Sequence, residues 1–177
     1  IDAGGVFGVV KTPEYIALNP NSVVPTLVEG DFVLWESNVI VRYLCAKHSQ
    51  GKLYPTDLQE RFNAERWMDW QQTTFGPSGR DAFWQLIRVS EAERDMKKVE
   101  ASIASTEILL DRLEHHLSKN VFVAGASMTM ADIPLTCEVH RWFGLGVSKT
   151  KRPHLEAWYA KILARPASAN VLTLPLS

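Results

Sequence analysis

Apolar residues change their spacing along this chain near position 57, and the change separates two kinds of structure. Ahead of it the apolar runs are short. Thr26-Leu27-Val28 and Phe32-Val33-Leu34-Trp35 are β-branched or aromatic stretches of the composition expected for buried strands. Glu29-Gly30-Asp31 between them is turn chemistry, so the pair predicts a hairpin. Ser37 then stands where a helix N-cap belongs, ahead of Val39, Ile40, Tyr43 and Leu44. Upstream, residues 1–10 hold Gly4, Gly5 and Gly8 and predict a loop. Thr12-Pro13-Glu14 predicts a short helix through Leu18, ended by Pro20, and Asn19-Pro20-Asn21-Ser22 is turn composition.

Residues 47–56 predict a linker, and from there the periodicity is helical throughout. A helix over 57–74 carries Phe62, Trp67 and Trp70, with Phe75 just beyond; Gly76-Pro77-Ser78-Gly79 predicts a kink or loop before 81–89 resume. Ser90-Glu91-Ala92-Glu93 is a capping box. The helix that it opens sets Val99, Ile103, Thr106, Leu110, Leu113 and Leu117 inward, leaving Glu107, Asp111 and Glu114 on a solvated face. Thr129-Met130-Ala131-Asp132 is a second box, and 153–165 form a last helix stopped by Pro166. The expected division is therefore an incomplete α+β domain over 1–46, a linker over 47–56 and an all-α bundle over 57–177.

The chemistry concentrates around the hairpin. Pro25 opens a strand and removes a ladder donor, which a strand start tolerates. A cis Val24–Pro25 bond would turn the Val24 backbone outward toward a ligand. At the following helix the residue three beyond Ser37 is Ile40, so no internal carboxylate completes a capping box. The first-turn N–H groups then stay open to an outside anion, and Glu36 beside them offers a carboxylate suited to an ammonium. Together they describe a receptor for the zwitterionic end of an amino acid or peptide.

Composition narrows the class. With 19 basic and 20 acidic residues and a net charge of −1, the chain lacks the basic footprint of a nucleic-acid binder. No apolar run reaches the length of a membrane span. Cys45 and Cys137 lie far apart inside predicted helices, which points to a reducing compartment. His115-His116 diverge by about 100° on a helix and cannot readily share one ion. Cys137 and His140 have no second pair of ligands, so no metal is expected.

Val-Pro-Thr-Leu, the short hairpin and Trp-Glu-Ser-Asn-Val-Ile-Val-Arg-Tyr-Leu resemble the glutathione-binding half of cytosolic glutathione S-transferases, most of all bacterial theta/beta-like members. Ala-Gly-Ala-Ser-Met-Thr-Met-Ala-Asp-Ile-Pro-Leu resembles the capping motif in the core helix of that family's helical domain. The resemblance implies a thioredoxin-like domain, incomplete here, followed by a helical bundle. It implies that Val24, before Pro25, pairs its backbone with the cysteinyl part of glutathione. Glu36 and Ser37 would hold the γ-glutamyl group, Ser22 would lie near the glycyl end, and Asn38 would sit beside them. It gives Asp132 a folding role.

The same likeness implies transfer of the glutathione thiolate to an electrophile lodged between the two halves, against the helix bearing Trp67, Gln71 and Phe75. Glutathione is the co-substrate, with no metal, and a cytoplasmic homodimer is expected. The residue that activates the thiol is implied in a strand and helix ahead of these elements, so no catalytic residue is assigned within 1–177. Peroxide reduction, dehalogenation or isomerisation on the same scaffold is the alternative, as is a glutathione-binding module without turnover.

Overall fold

The chain's computed structural model describes residues 1–176. Two compact units divide between Gln50 and Gly51. In the first, 3-10 turns Gly5–Phe7 and Val9–Lys11 order the glycine-rich start, where the sequence predicts a loop. Helix α1 (Pro13–Leu18) begins with Pro in its first turn and is capped by Thr12, whose Oγ1 accepts the Tyr15 N–H at 3.3 Å. Strands β1 (Thr26–Glu29) and β2 (Phe32–Trp35) pair antiparallel, Thr26 opposite Trp35 and Glu29 opposite Phe32. Gly30 takes φ 59° at the first loop position, the type II′ pattern that suits strand twist.

These strands are half-exposed rather than buried, because a two-stranded ribbon has two faces and little to cover them. Helix α2 (Ser37–His48) buries Asn38, Ile40 and Cys45 and leaves Val39 and Leu44 exposed, so a polar residue takes an inward place that hydropathy gives to Val39. At the tip of the ribbon, Glu29 accepts from the Tyr43 hydroxyl at 2.5 Å and pairs with Lys47, tying the hairpin to α2.

The second unit is helical. Residues 58–88 run without interruption through α3 (Leu58–Trp70), a π turn Gln71–Phe75, α4 (Gly76–Phe83) and a second π turn Trp84–Arg88. Of the kink or loop expected at 76–79, the loop is absent, and the irregularity is the π turn just ahead of it. An interior Pro clashes with the carbonyl four residues back, and the wider π turn places Pro77 in the first turn of α4, where that conflict is relieved. Gly76 suits the close packing there, since a Cβ would stand 3.1 Å from the Gln71 carbonyl oxygen.

Helix α5 (Met96–Leu117) is capped by Asp95, which accepts from Lys97 and Lys98 N–H, and not by Ser90. The expected box closes only the turn Glu91–Glu93, because Arg94 and Asp95 are extended. Arg94 bonds instead to the Gln85 and Leu86 carbonyls at 3.0 Å, satisfying the end of the preceding helix. The inward face holds Val99, Thr106, Leu110, Leu113 and Leu117 as expected, with Ser102 and Leu109 in addition. Ser102 and Thr106 both bond to Ser78, fastening α4 to α5.

The acidic face of α5 is solvated only in part: Asp111 is exposed as expected, whereas Glu107 and Glu114 are half-buried. Arg152, 3% exposed, reaches Glu107 at 2.9 Å and Asp111 at 2.7 Å. Glu114 accepts from the N–H groups of His154 and Leu155, capping α7 (Pro153–Leu163). Partners forty or more positions downstream are invisible to helical periodicity, so Glu107 and Glu114 read as part of a wet surface. Helix α6 (Asp132–Leu145) sits amid this core, which includes Leu135, Val139, Leu155 and Trp158.

Candidate functional site

The register of the hairpin brings the sequence-predicted residues of the first unit together. Thr26 opposite Trp35 is the last ladder pair, so Val24–Pro25 and Glu36–Ser37 leave the ribbon at the same end. Facing antiparallel residues stand about 5 Å apart, which places the corner and the helix tip side by side. The Val24–Pro25 peptide is cis. Val24 is 52% exposed, and its backbone N–H and C=O have no hydrogen-bond partner among the described residues. Such groups await a strand-like partner.

Glu36, and not Ser37, is the N-cap of α2, and Ser37 is the first helical residue. Glu36 has φ 74°, a region that non-glycine residues enter only under constraint. Its side chain makes no capping bond, and the first intrahelical bond, Ile40 N–H to Glu36 C=O, comes at 3.0 Å. Both Glu36 and Ser37 are exposed. The helix therefore starts without a side-chain cap, with a partial positive charge and an exposed hydroxyl, next to the exposed Glu36 carboxylate. Ser22 also has positive φ, at 54°, and is half-buried. Asn38 is 3% exposed, beneath the helix surface.

Sequence reasoning missed what holds this corner. Asn19 is 1% exposed, and its side-chain amide donates to the Val23 carbonyl at 2.8 Å and to Thr26 Oγ1 at 3.1 Å. Its Oδ1 accepts from the Asn21 N–H and side-chain amide. The Tyr15 hydroxyl donates to the same Val23 carbonyl at 2.8 Å and lies 2.8 Å from Thr26 Oγ1. The proton count closes, with Thr26 donating to Tyr15 and both Asn19 protons used. A buried, satisfied network thus grips the residues on either side of Val24–Pro25. An Asn before Pro is an ordinary turn signal, and only the fold shows where its amide goes.

The residues expected to meet an electrophile separate. Phe75 is 3% exposed and stacks on Trp70 with ring centroids 5.3 Å apart. Gln71 donates to Glu138 at 3.3 Å. Trp67 packs against the His116 ring at 4.5 Å and lines a cleft that excludes the other two.

Asp132 is wholly buried and structural. Its carboxylate accepts from Thr129 N–H at 2.8 Å, Val123 N–H at 3.0 Å and the Trp158 indole at 2.8 Å. Burial raises its pKa, and these donors recover part of the shift. His140 pairs with the Tyr159 hydroxyl at 2.7 Å, while Cys137 is an exposed free thiol. Among the described residues no three His, Cys, Asp or Glu side chains converge, and no helix is long and apolar enough to cross a membrane.

Comparison with known proteins accords with this geometry. Residues 66–166 match the "Glutathione S-transferase, C-terminal domain" family and residues 8–47 match the "Glutathione S-transferase, N-terminal domain" family. Glutathione S-transferase GstB of Escherichia coli K12 is 36% identical over 177 residues, covering 99% of this chain and 85% of that protein. Elongation factor 1-gamma 1 of rice is 32% identical over 92% of this chain but only 39% of its own length. Among solved structures, a theta class glutathione S-transferase from Xanthomonas axonopodis pv. citri, with glutathione bound, superposes at a TM-score of 0.95 with 44% identity. It covers 100% of this chain and 85% of that one. A corner, a helix tip and a helical unit matching both halves of one family lead to one assignment: the chain belongs to the glutathione S-transferases.

Proposed function

We propose that the chain binds glutathione at the Val24–Pro25 corner and the Glu36–Ser37 helix tip, and conjugates its thiolate to small electrophiles. Glu36 carries this reading, because its backbone takes a costly positive φ while its exposed carboxylate makes no capping bond. Val24 pairs with the cysteinyl backbone. Glu36 takes the ammonium and Ser37 the carboxylate of the γ-glutamyl end, where the helix dipole favours an anion. Ser22 borders the glycyl end, and buried Asn38 supports the tip from beneath. A thiol with an ordinary pKa of about 8.5 gains roughly 1.4 kcal/mol of anion stabilisation per unit of depression. Trp67, Gln71 and Phe75 belong to the helix that shapes the electrophile side. We assign residues 1–46 to a thioredoxin-like glutathione-binding domain, 47–56 to a linker and 57–177 to the helical domain. The working form is a cytoplasmic, metal-free homodimer.

Turnover of an aromatic halide with glutathione tests the reading, with a hydroperoxide assayed in parallel. Conjugation of the halide supports it. Turnover of the hydroperoxide alone would move the chain to the peroxidase alternative. A second reading is a glutathione-binding module without turnover, since a protein named as an elongation factor shares the likeness. Saturable glutathione binding with neither substrate consumed would select that one.

A further inference from the structure

The turn ahead of α6 is built from small residues, Ala124-Gly125-Ala126-Ser127, and small side chains leave the space beside them open. That space is a cleft of about 420 Å³ contained within the helical unit. Its walls are this turn, residues of the 51–56 segment and Glu60 in the first turn of α3. The volume lies within the range of small-molecule sites. The walls are fixed. The Asp132 carboxylate holds the Val123 and Thr129 N–H groups on either side of the turn, and Phe122 and Gly125 exchange backbone bonds at 2.9 and 3.1 Å. The 51–56 segment is tied down as well. The Leu53 carbonyl accepts the Met130 N–H at 2.8 Å, and Arg61 donates to the Pro55 and Thr56 carbonyls at 2.9 and 3.2 Å.

Inside that frame a set of polar groups is unused. The N–H groups of Ala126, Ser127 and Met128 and the hydroxyls of Thr56 and Ser127 have no hydrogen-bond partner among the described residues. Lys52 and Glu60 line the same cleft with opposite charges, yet neither forms an ion pair with the other or with any described residue. Opposite charges that share a cleft without meeting favour a ligand that carries both signs, since a simple anion is repelled by Glu60 and a simple cation by Lys52. The unused donors suit a carbonyl oxygen. An ammonium, a carboxylate and an amide carbonyl in one small molecule are the chemistry of a short peptide.

We propose that this cleft binds a zwitterionic dipeptide, its ammonium toward Glu60, its carboxylate toward Lys52 and its peptide carbonyl on the N–H groups of 126–128. The grip proposed for glutathione is built wholly from the other unit, so the two assignments stand or fall separately.

NMR titration of the isotope-labelled full chain with L-alanyl-L-alanine tests the site, with its N-acetyl and C-terminal amide forms as single-charge probes. Lys52 and Glu60 are exposed and unpaired, so K52Q and E60Q keep the fold intact. We expect saturable shifts of the Ala126, Ser127 and Met128 amides, with the dipeptide Kd raised about fivefold in each variant. K52Q should weaken the N-acetyl form and E60Q should not, and the amide form should show the reverse. E36A should leave these shifts unchanged. No saturable shift at 126–128, or equal affinity in the parent and both variants, overturns the proposal. So does loss of the shifts in E36A, which would give the dipeptide to the helix tip of the first unit.

Discussion

The proline corner of the first unit and the Asp132 staple of the second treat polar groups in opposite ways. Around Asp132 every donor is answered: two backbone N–H groups and one indole converge on a single buried carboxylate. Around Val24 and Glu36 the backbone and the carboxylate are left unanswered, and Glu36 holds a backbone conformation that costs energy. The difference teaches where to look for function. Saturated polar clusters specify a fold, whereas polar groups that are positioned but unsatisfied are ready for something else. The Asn19 network joins the two behaviours, since a satisfied interior supports an unsatisfied rim.

Substitutions that act on one side only would sharpen this contrast. The largest effect is expected from D132A, which strands three buried donors and should cost about 3–5 kcal/mol of stability. Calorimetry should show Tm lowered by roughly 10 °C, with glutathione affinity near normal. A large loss of affinity at unchanged Tm would contradict the assignment of Asp132 to the fold. Next comes N19A, which removes both bonds that the amide makes to Val23 and Thr26. It should cost about 1–3 kcal/mol in urea unfolding and also raise the glutathione Kd roughly tenfold, because the rim loses its preorganisation. Stability loss with an unchanged Kd would reduce Asn19 to a packing residue.

A smaller and more telling change is E36G. Glycine accepts the positive φ, so the unliganded chain should become more stable by about 1 kcal/mol while glutathione binding falls. Loss of stability in E36G would mean that Glu36 is not strained.

The smallest effect is in pH dependence, and its sign differs between two acids of the helical unit. Burial raises the Glu107 carboxyl, but hydrogen bonds from Arg152, Ser148 and Trp142 outweigh it and hold the group below its ordinary range. Its contribution is therefore present above about pH 4.3 and is lost as pH falls through the depressed value. Asp132 is shifted upward by burial, so it favours the folded state at low pH and contributes less as pH rises above about 3.9. In urea midpoints across this range, E107Q should flatten the acid limb and D132N should remove the opposing slope. An acid limb unaltered by E107Q would break the assignment.

Local signals were legible and distant ones were not. The Thr12 cap, the hairpin register set by Glu29-Gly30-Asp31, the open helix tip and the Thr129–Asp132 box all rest on residues within four positions of each other. The roles of Asn19, Arg152 and the cap Asp95 escape such reading because each depends on where the chain returns, or on which of two local caps the packing selects. Pro77 was read as a break since the rule for proline is local, while the remedy, a π turn immediately ahead, is a property of the whole helix. Local chemistry marks Val24 and Glu36 as ligand-facing and the family likeness names glutathione as the ligand, while the fold places both at one end of the ribbon.

The central claim is that Glu36 and Ser37 form the grip for the charged head of glutathione, and titration calorimetry of E36A and S37A addresses it most directly. Each variant should bind glutathione about 1–3 kcal/mol more weakly, with Tm within a degree or two of the parent. Binding of undiminished affinity in both variants would contradict the account.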